Sequence, residues 1–188
     1  MNGKFTVGHG TGGGAALLDR RADWIEDKHE VDHFTEVLQL IRPDLHSAAP
    51  YFSASAQGLP GLPDTYTCVH PGAGAQSKKL SPETWSQVLR GSADPLVICG
   101  TPQDSEWARS LDLDVDRPVI DLTSGLSIAD FYRVVSNAKV THVLDSFSAH
   151  LAAASDCPRV LAHFLPSSDP VQWRPLGPNV EVVLHANP

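Results

Sequence analysis

Three short stretches of this chain carry residue types that can bind an anion. The first is His70-Pro71-Gly72-Ala73-Gly74-Ala75-Gln76-Ser77-Lys78-Lys79. Gly72 and Gly74 let backbone N–H groups face a ligand closely, and Lys78 and Lys79 can reach a phosphate as point charges. The second, Gly100-Thr101-Pro102-Gln103-Asp104, offers Asp104 either as an acceptor for ribose hydroxyls or as an acidic group favouring the start of the next helix. The third is Asp145-Ser146-Phe147-Ser148-Ala149-His150, where a strand turns into a helix. Unpaired N–H groups at such a helix start, with the dipole behind them, favour an anion. Gathered on one edge, the three stretches would cradle a diphosphate and a nucleoside. Asp145, Ser146 and His150 are also the residue types of a hydrolase triad. The nucleophile-elbow pattern G-x-S-x-G is missing, however, and residues so close in sequence rarely adopt triad geometry.

The elements that must position these stretches are legible from residue 64 onward. Strand patterns cover Tyr66–His70, Leu96–Cys99, Val119–Leu122, Val140–Leu144, Arg159–Phe164 and Val180–Leu184. Between them, helices are expected over Pro82–Arg90, Gln103–Leu111, Ser127–Ala138 and Ser148–Ser155. Ser81 is the expected N-cap of the first, with Pro82 at its first position, and Ser127 the expected cap of the third. Trp85 and Trp107 fall on helices and are expected to face a core. Strands alternating with helices of this size imply βαβ units and a parallel sheet covered on both faces. The expected fold is therefore α/β and Rossmann-like over residues 64–188. In open sheets of this kind ligands sit beyond the carboxyl ends of the strands, where all three stretches lie.

Residues 1–63 look different. Five glycines between Gly8 and Gly14 are expensive to order and suggest a loop or flexible entry. Gly8-His9-Gly10-Thr11-Gly12-Gly13 matches the dinucleotide spacing G-x-G-x-x-G, but only Phe5–Val7 could precede it as a strand. No second strand is expected before Pro43, so the βαβ context is missing and a linker is the simpler expectation. A helix is expected from about Ala22 to Leu40, with Val31, Phe34, Leu38 and Ile41 on one apolar face. Residues 47–65, rich in Ser, Ala, Gly and Pro, suggest a connecting segment.

Composition narrows the chemistry. Fourteen basic against 22 acidic residues give a net charge of −8 over 188 residues. With no basic run, broad nucleic-acid binding is not expected, because nothing would displace phosphate counterions. No apolar stretch approaches the roughly 20 residues of a membrane span, and Met1–Val7 lacks a signal-peptide apolar region. Three cysteines, Cys68, Cys99 and Cys157, suit buried thiols in a reducing cytoplasm. The nine histidines are dispersed without metal-ligand spacing, so no metal or cofactor is expected.

Taken in order, His-Pro-Gly-Ala…Lys-Lys-Leu-Ser-Pro-Glu-Thr-Trp, Val-Ile-Cys-Gly, Leu-Thr-Ser-Gly-Leu-Ser-Ile, Asp-Ser-Phe-Ser-Ala-His-Leu-Ala-Ala-Ala and a Pro166…Trp173-to-Gly177 ending form a recognisable series. Over residues 66–184 it resembles the heptosyltransferases of glycosyltransferase family 9. The segment His29–Leu40 is also similar to the helical stretch late in that family's N-terminal domain. The resemblance implies the C-terminal, donor-binding half of a GT-B fold that takes an ADP-linked sugar such as ADP-heptose for transfer to a saccharide or lipid-linked acceptor. It places Lys78 on the phosphates, Asp104 near the ribose and Leu126 beside the adenine. It places Ser146, Phe147 and Ser148 in the turn whose amides hold the diphosphate, with Asp145 and His150 flanking it. Phe147 stands where the family usually has glycine, so its side chain is expected to point away. Leu80 replaces a typical aromatic, a packing change.

The family's acceptor-binding domain, with its catalytic carboxylate, and its closing C-terminal helix have no counterpart in the pattern. Residues 1–60 are too few for a second α/β domain. The expectation is a donor-binding domain complemented by a partner chain. The alternatives are a non-catalytic binding or assembly module of the same fold, or a nucleotide-dependent enzyme such as a sugar epimerase.

Overall fold

The computed structural model describes residues 5–55, 57–113 and 116–186. They form two compact units, Met1–Ala49 with Pro170–Trp173, and Pro50–Asp169 with Arg174–Pro188.

The second unit is built on six strands: β3 (Thr67–His70), β4 (Leu96–Cys99), β5 (Val119–Leu122), β6 (Val140–Leu144), β7 (Val160–Phe164) and β8 (Val180–Leu184). The numbering leaves β1 and β2 to the first unit. Their order across the sheet is β5-β4-β3-β6-β7-β8, and every neighbouring pair is parallel. The chain thus winds outward from β3 in one direction and then, from β6, in the other. The order reverses between β3 and β6, and the gap beyond their carboxyl ends is the switch point at which α/β sheets open a crevice.

Alternation along each strand sends successive side chains to opposite faces. Cys68, Val97, Cys99 and Val143 go to one face, packed by Phe131, Tyr132, Val134 and Val135 of α4 (Ile128–Ser136) and by Ala149 and Ala152 of α5 (Phe147–Ala153). Val69, Leu96, Ile98 and Leu144 go to the other. There Trp85 and Leu89 of α2 (Pro82–Leu89) and Trp107 of α3 (Asp104–Arg109) cover them, with Leu80 among them. Trp85 is fully buried and meets Trp107 edge to face, 5.8 Å between centroids.

Both expected caps form. Ser81 Oγ accepts from Thr84 N at 3.2 Å and Ser127 Oγ from Asp130 N at 3.0 Å. Each satisfies one amide that the first helical turn leaves without a partner. Ser81→Ala is expected to lower the unfolding free energy by about 1 kcal/mol, measured by urea denaturation.

Residues 50–63, expected as a connection, contribute packing. Phe52, Ala54, Leu59 and Leu62 lie against the α4 face of the core, and Arg133 donates to the carbonyls of Gln57 and Gly58. Turn-rich composition signalled the irregular backbone and concealed the apolar anchors.

The first unit corrects two expectations. Val7–His9 and Arg20–Ala22 are strands, β1 and β2, paired in parallel. A second strand therefore does follow the glycine stretch before Pro43. Strands of three residues are too short for an alternation pattern to reveal. The connection contains a single 3₁₀ turn, Ala15–Leu17, in place of a dinucleotide-binding helix. The expected helix starts later, as α1 (Glu30–Gln39), because Arg20–Ala22 is taken into β2 and His29 caps the start, its Nδ1 accepting from Val31 N at 3.1 Å. Phe34, Leu38 and Ile41, the expected apolar face, are exposed, and the residue that α1 buries is His33, stacked at 3.9 Å on Trp24. A short helix, α6 (Pro170–Trp173), joins this unit, where Gln172 donates to Glu30 at 3.1 Å. Among the described residues no helix is long and apolar enough to cross a membrane.

Candidate functional site

A cleft of about 730 Å³ opens at the switch point. Its walls are the loops leaving β3, β4 and β6, the three stretches named from sequence. Gly72, Gly74, Lys78, Lys79, Asp104, Asp145, Ser146, Phe147 and Ser148 all line it. A smaller pocket of about 130 Å³ adjoins it and contains Leu126. His150, one turn into α5, is not among the residues lining either cavity. Other residues of the same stretches, His70, Ala73, Ala75, Thr101 and Gln103, complete the cleft, and His70, Gly100, Thr101, Phe147, Ser127, Ile128 and Phe131 complete the pocket.

The link between the first and third loops is an ion pair. A 3₁₀ turn, Gln76–Lys78, aims Lys78 at the end of β6, where Nζ lies 2.6 Å from Asp145 Oδ2. The Asp145 side chain is 6% exposed and that of Lys78 32%, so the carboxylate is sequestered while the ammonium keeps access to the cleft. Beside them Ser146 Oγ and Ser148 Oγ are 2.8 Å apart at the start of α5. No side chain caps that start.

Asp104 lines the cleft and also makes the helix-start contact that was the alternative to its ribose role. Its Oδ2 accepts from both Thr101 N and Thr101 Oγ1 at 2.8 Å, which closes the turn into α3. This close packing also explains two of the glycines. A Cβ on Gly100 would stand 2.8 Å from Asp104 Oδ2, and one on Gly72 would stand 3.0 Å from His70 Cε1 and 3.2 Å from Asp104 Oδ2. A side chain at position 100 would force the Asp104 carboxylate to shift, and one at position 72 would require His70 or Asp104 to give by a few tenths of an ångström. Burial holds the His70 imidazole below the ordinary histidine range, with the Asp104 charge pulling against it. Phe147 is the exposed residue of the Ser146–Ser148 turn. With 60% of its surface exposed it lines both cavities and is not turned into the core.

Sequence reasoning also passed over three histidines that the sheet brings together. His142 on β6, His163 on β7 and His185 just after β8 form a hydrogen-bonded row, 3.1 Å from His142 Nδ1 to His163 Nε2 and 2.8 Å from His163 Nδ1 to His185 Nε2. They are 21 and 22 residues apart in sequence, a spacing that means nothing until β6, β7 and β8 lie side by side. The only available signal was that each stands in or just beyond a strand. Among the described residues no group of three or more His, Cys, Asp or Glu could hold a metal ion.

A six-stranded parallel sheet with helices on both faces and a lysine-bearing cleft at its switch point makes this a Rossmann-like α/β protein. The particular family follows from comparison: the profile of glycosyltransferase family 9 (heptosyltransferase) matches residues 17–188, and the chain belongs to that family. Solved structures share the fold. The glycosyl transferase family 9 protein from Veillonella parvula DSM 2008 superposes with a TM-score of 0.68 at 16% identity, covering 90% of this chain and 53% of that one. E. coli heptosyltransferase WaaC with ADP gives 0.61 at 22% identity, covering 90% and 54%. E. coli ADP-heptose lps heptosyltransferase II gives 0.55 at 18%, covering 90% and 48%. The chain spans about half the length of these solved relatives. Comparison with curated proteins found no match.

Proposed function

We propose that the switch-point cleft binds a nucleotide-diphosphate sugar, an ADP-linked one such as ADP-heptose, and presents it for transfer to a saccharide or lipid-linked acceptor. The observation that carries this reading is the convergence of Lys78 with the Asp145–Ser148 turn, which puts a cation beside a helix start at the switch point. The WaaC structure contains ADP, and the other E. coli relative is an ADP-heptose heptosyltransferase.

In the proposed reaction an acceptor hydroxyl displaces the diphosphate directly at the anomeric carbon. Negative charge builds on the departing phosphate oxygen, and Lys78 with the amides of Ser146–Ser148 stabilises it there. Gly72, Gly74 and Lys79 line the same side of the cleft, Leu126 sits in the smaller pocket at the base end, and Asp104 holds the β4 loop in shape. His150 lies within α5 and flanks the turn. No metal or other cofactor is needed for this displacement. A cytoplasmic location belongs to the reading, and the free buried thiols of Cys68, Cys99 and Cys157 agree with it.

The reaction also needs a base for the acceptor proton. Both carboxylates lining the cleft are engaged, Asp104 by Thr101 and Asp145 by Lys78. In this reading an acceptor-binding half, on a partner chain or further segment, supplies the base. The same observation favours the second reading, that this chain by itself is a nucleotide-binding module without transferase activity.

Calorimetric titration with ADP, UDP, GDP and NAD tests the donor site. Saturable binding of ADP in preference to the others is the expected result. A folded sample that binds none of them at millimolar concentration would sink the donor reading. Sugar transfer by the purified chain alone would exclude the second reading.

A further inference from the structure

Phosphate chemistry leaves one feature of the cleft unused. Phe147, the first residue of α5, keeps 60% of its surface exposed, while its neighbours Ser148 and Ala149 are buried. It lines both the large cleft and the small pocket, as only His70 and Thr101 also do among the residues of those two cavities. The two cavities differ in kind. The larger contains Lys78, Lys79, Asp104 and Asp145, whereas the smaller carries no Lys, Arg, Asp or Glu and sets Leu126, Ile128, Phe131 and Phe147 beside the polar His70, Thr101 and Ser127. An uncharged pocket with aromatic and polar walls joined to a charged cleft is the pairing that suits a nucleoside diphosphate: its base gains from an aromatic face and a few polar partners, and its phosphates gain from cations and amides. Ile128 is exposed as well, so the mouth of the pocket leaves apolar surface in water for a ligand to cover.

We propose that Phe147 is a specificity-determining residue, its ring forming the wall against which the nucleoside end of the donor stacks where the small pocket meets the phosphate cleft. The inference rests on the donor-site reading above. A glycine at this position would offer the amide alone. Phenylalanine keeps the amide and adds an aromatic face, so the chain holds the nucleoside through a contact that the diphosphate does not share.

The test separates the two ends of the ligand. ADP and inorganic pyrophosphate are titrated calorimetrically into the protein and into Phe147→Ala and Phe147→Trp. Loss of one base–aromatic stack corresponds to about a tenfold loss of affinity. Phe147→Ala is therefore expected to weaken ADP about tenfold and leave pyrophosphate within twofold. Phe147→Trp is expected to retain ADP affinity. Because the side chain is exposed, all three proteins are expected to unfold at the same temperature. Unchanged or tighter ADP binding by Phe147→Ala would overturn the proposal and mark the ring as an obstruction. A parallel loss of ADP and pyrophosphate would overturn it too, since the substitution would then have acted through the start of α5. Pyrophosphate binding without ADP binding in the unsubstituted protein rejects the stacking wall and keeps the phosphate cleft. Binding of neither rejects the donor site and this inference together.

Discussion

Lys78→Ala is expected to lower ADP affinity about 30-fold or more, the largest effect of any single substitution in the cleft. Two losses combine in it. The ammonium is the charge partner for the diphosphate, and a charge-assisted hydrogen bond contributes about 2 kcal/mol or more. Its removal also strands Asp145, a carboxylate that is 6% exposed and otherwise paired to Lys78 at 2.6 Å. An unpaired carboxylate in a recessed site repels the incoming phosphates and is itself costly to keep ionised. Adding Asp145→Asn to Lys78→Ala should therefore recover part of the lost affinity. The four proteins of this double-mutant cycle, titrated with ADP, report the coupling directly. Affinity within threefold of the unsubstituted protein in Lys78→Ala would remove Lys78 from the site. Equal losses with and without Asp145→Asn would show that the carboxylate plays no part in holding the lysine for phosphate.

The second large effect concerns acid. His163 is 1% exposed and His142 8%, and their rings stack at 5.3 Å beside Trp85. Each neutral imidazole donates at one nitrogen and accepts at the other, so one proton per ring satisfies the whole row. Burial holds His142 down at about 4, with Arg117 and Arg159 disfavouring a further positive charge. Burial holds His163 at about 3, with His142 and His185 acting in the same direction. His185, less buried, is lowered for the same reason. In the unfolded chain each histidine protonates near its ordinary value of about 6.5. The folded-state values are depressed, so unfolding takes up protons at pH values between the two. Stability is fully present above about pH 6.5 and is lost as pH falls toward 4 and then 3, on the order of several kcal/mol in all. The readout is a series of urea denaturations from pH 7.5 to 4. The slope of unfolding free energy against pH should approach two protons from these rings near pH 5, beyond the carboxylate contribution. A His142→Phe, His163→Phe double variant removes both titrating rings and should flatten the slope, whatever its absolute stability. An unchanged slope in the double variant would mean the row does not govern acid stability.

Much of the second unit was legible before any coordinates. The strands from β3 to β8 are short runs rich in apolar and β-branched residues, a pattern sufficient even for the partly exposed edge strands β5 and β8. Ser81 and Ser127 could be named as caps because capping is a contact over three residues. The three ligand loops could be placed on one edge because parallel βαβ connection puts every strand's carboxyl end on the same side. The parallel pair β1–β2 was not legible, since three-residue strands carry no periodicity. Nor was the exposure of Phe34, Leu38 and Ile41, because an apolar stripe states which face a helix would bury and says nothing about what meets it.

Local sequence by itself thus determined the α/β alternation, the caps, the edge on which ligand chemistry gathers and the residue types present there. Only the tertiary structure decided their assignments. It paired Lys78 with Asp145 across 67 residues, turned Asp104 inward to Thr101 and left Phe147 exposed between two cavities. It also assembled His142, His163 and His185 into one buried row. Secondary structure follows from interactions within a few residues and can be read along the chain. An ion pair, a packed carboxylate or a row of imidazoles depends on which strands become neighbours, and in this sheet the neighbours of β3 are β4 and β6, the second of them some seventy residues away.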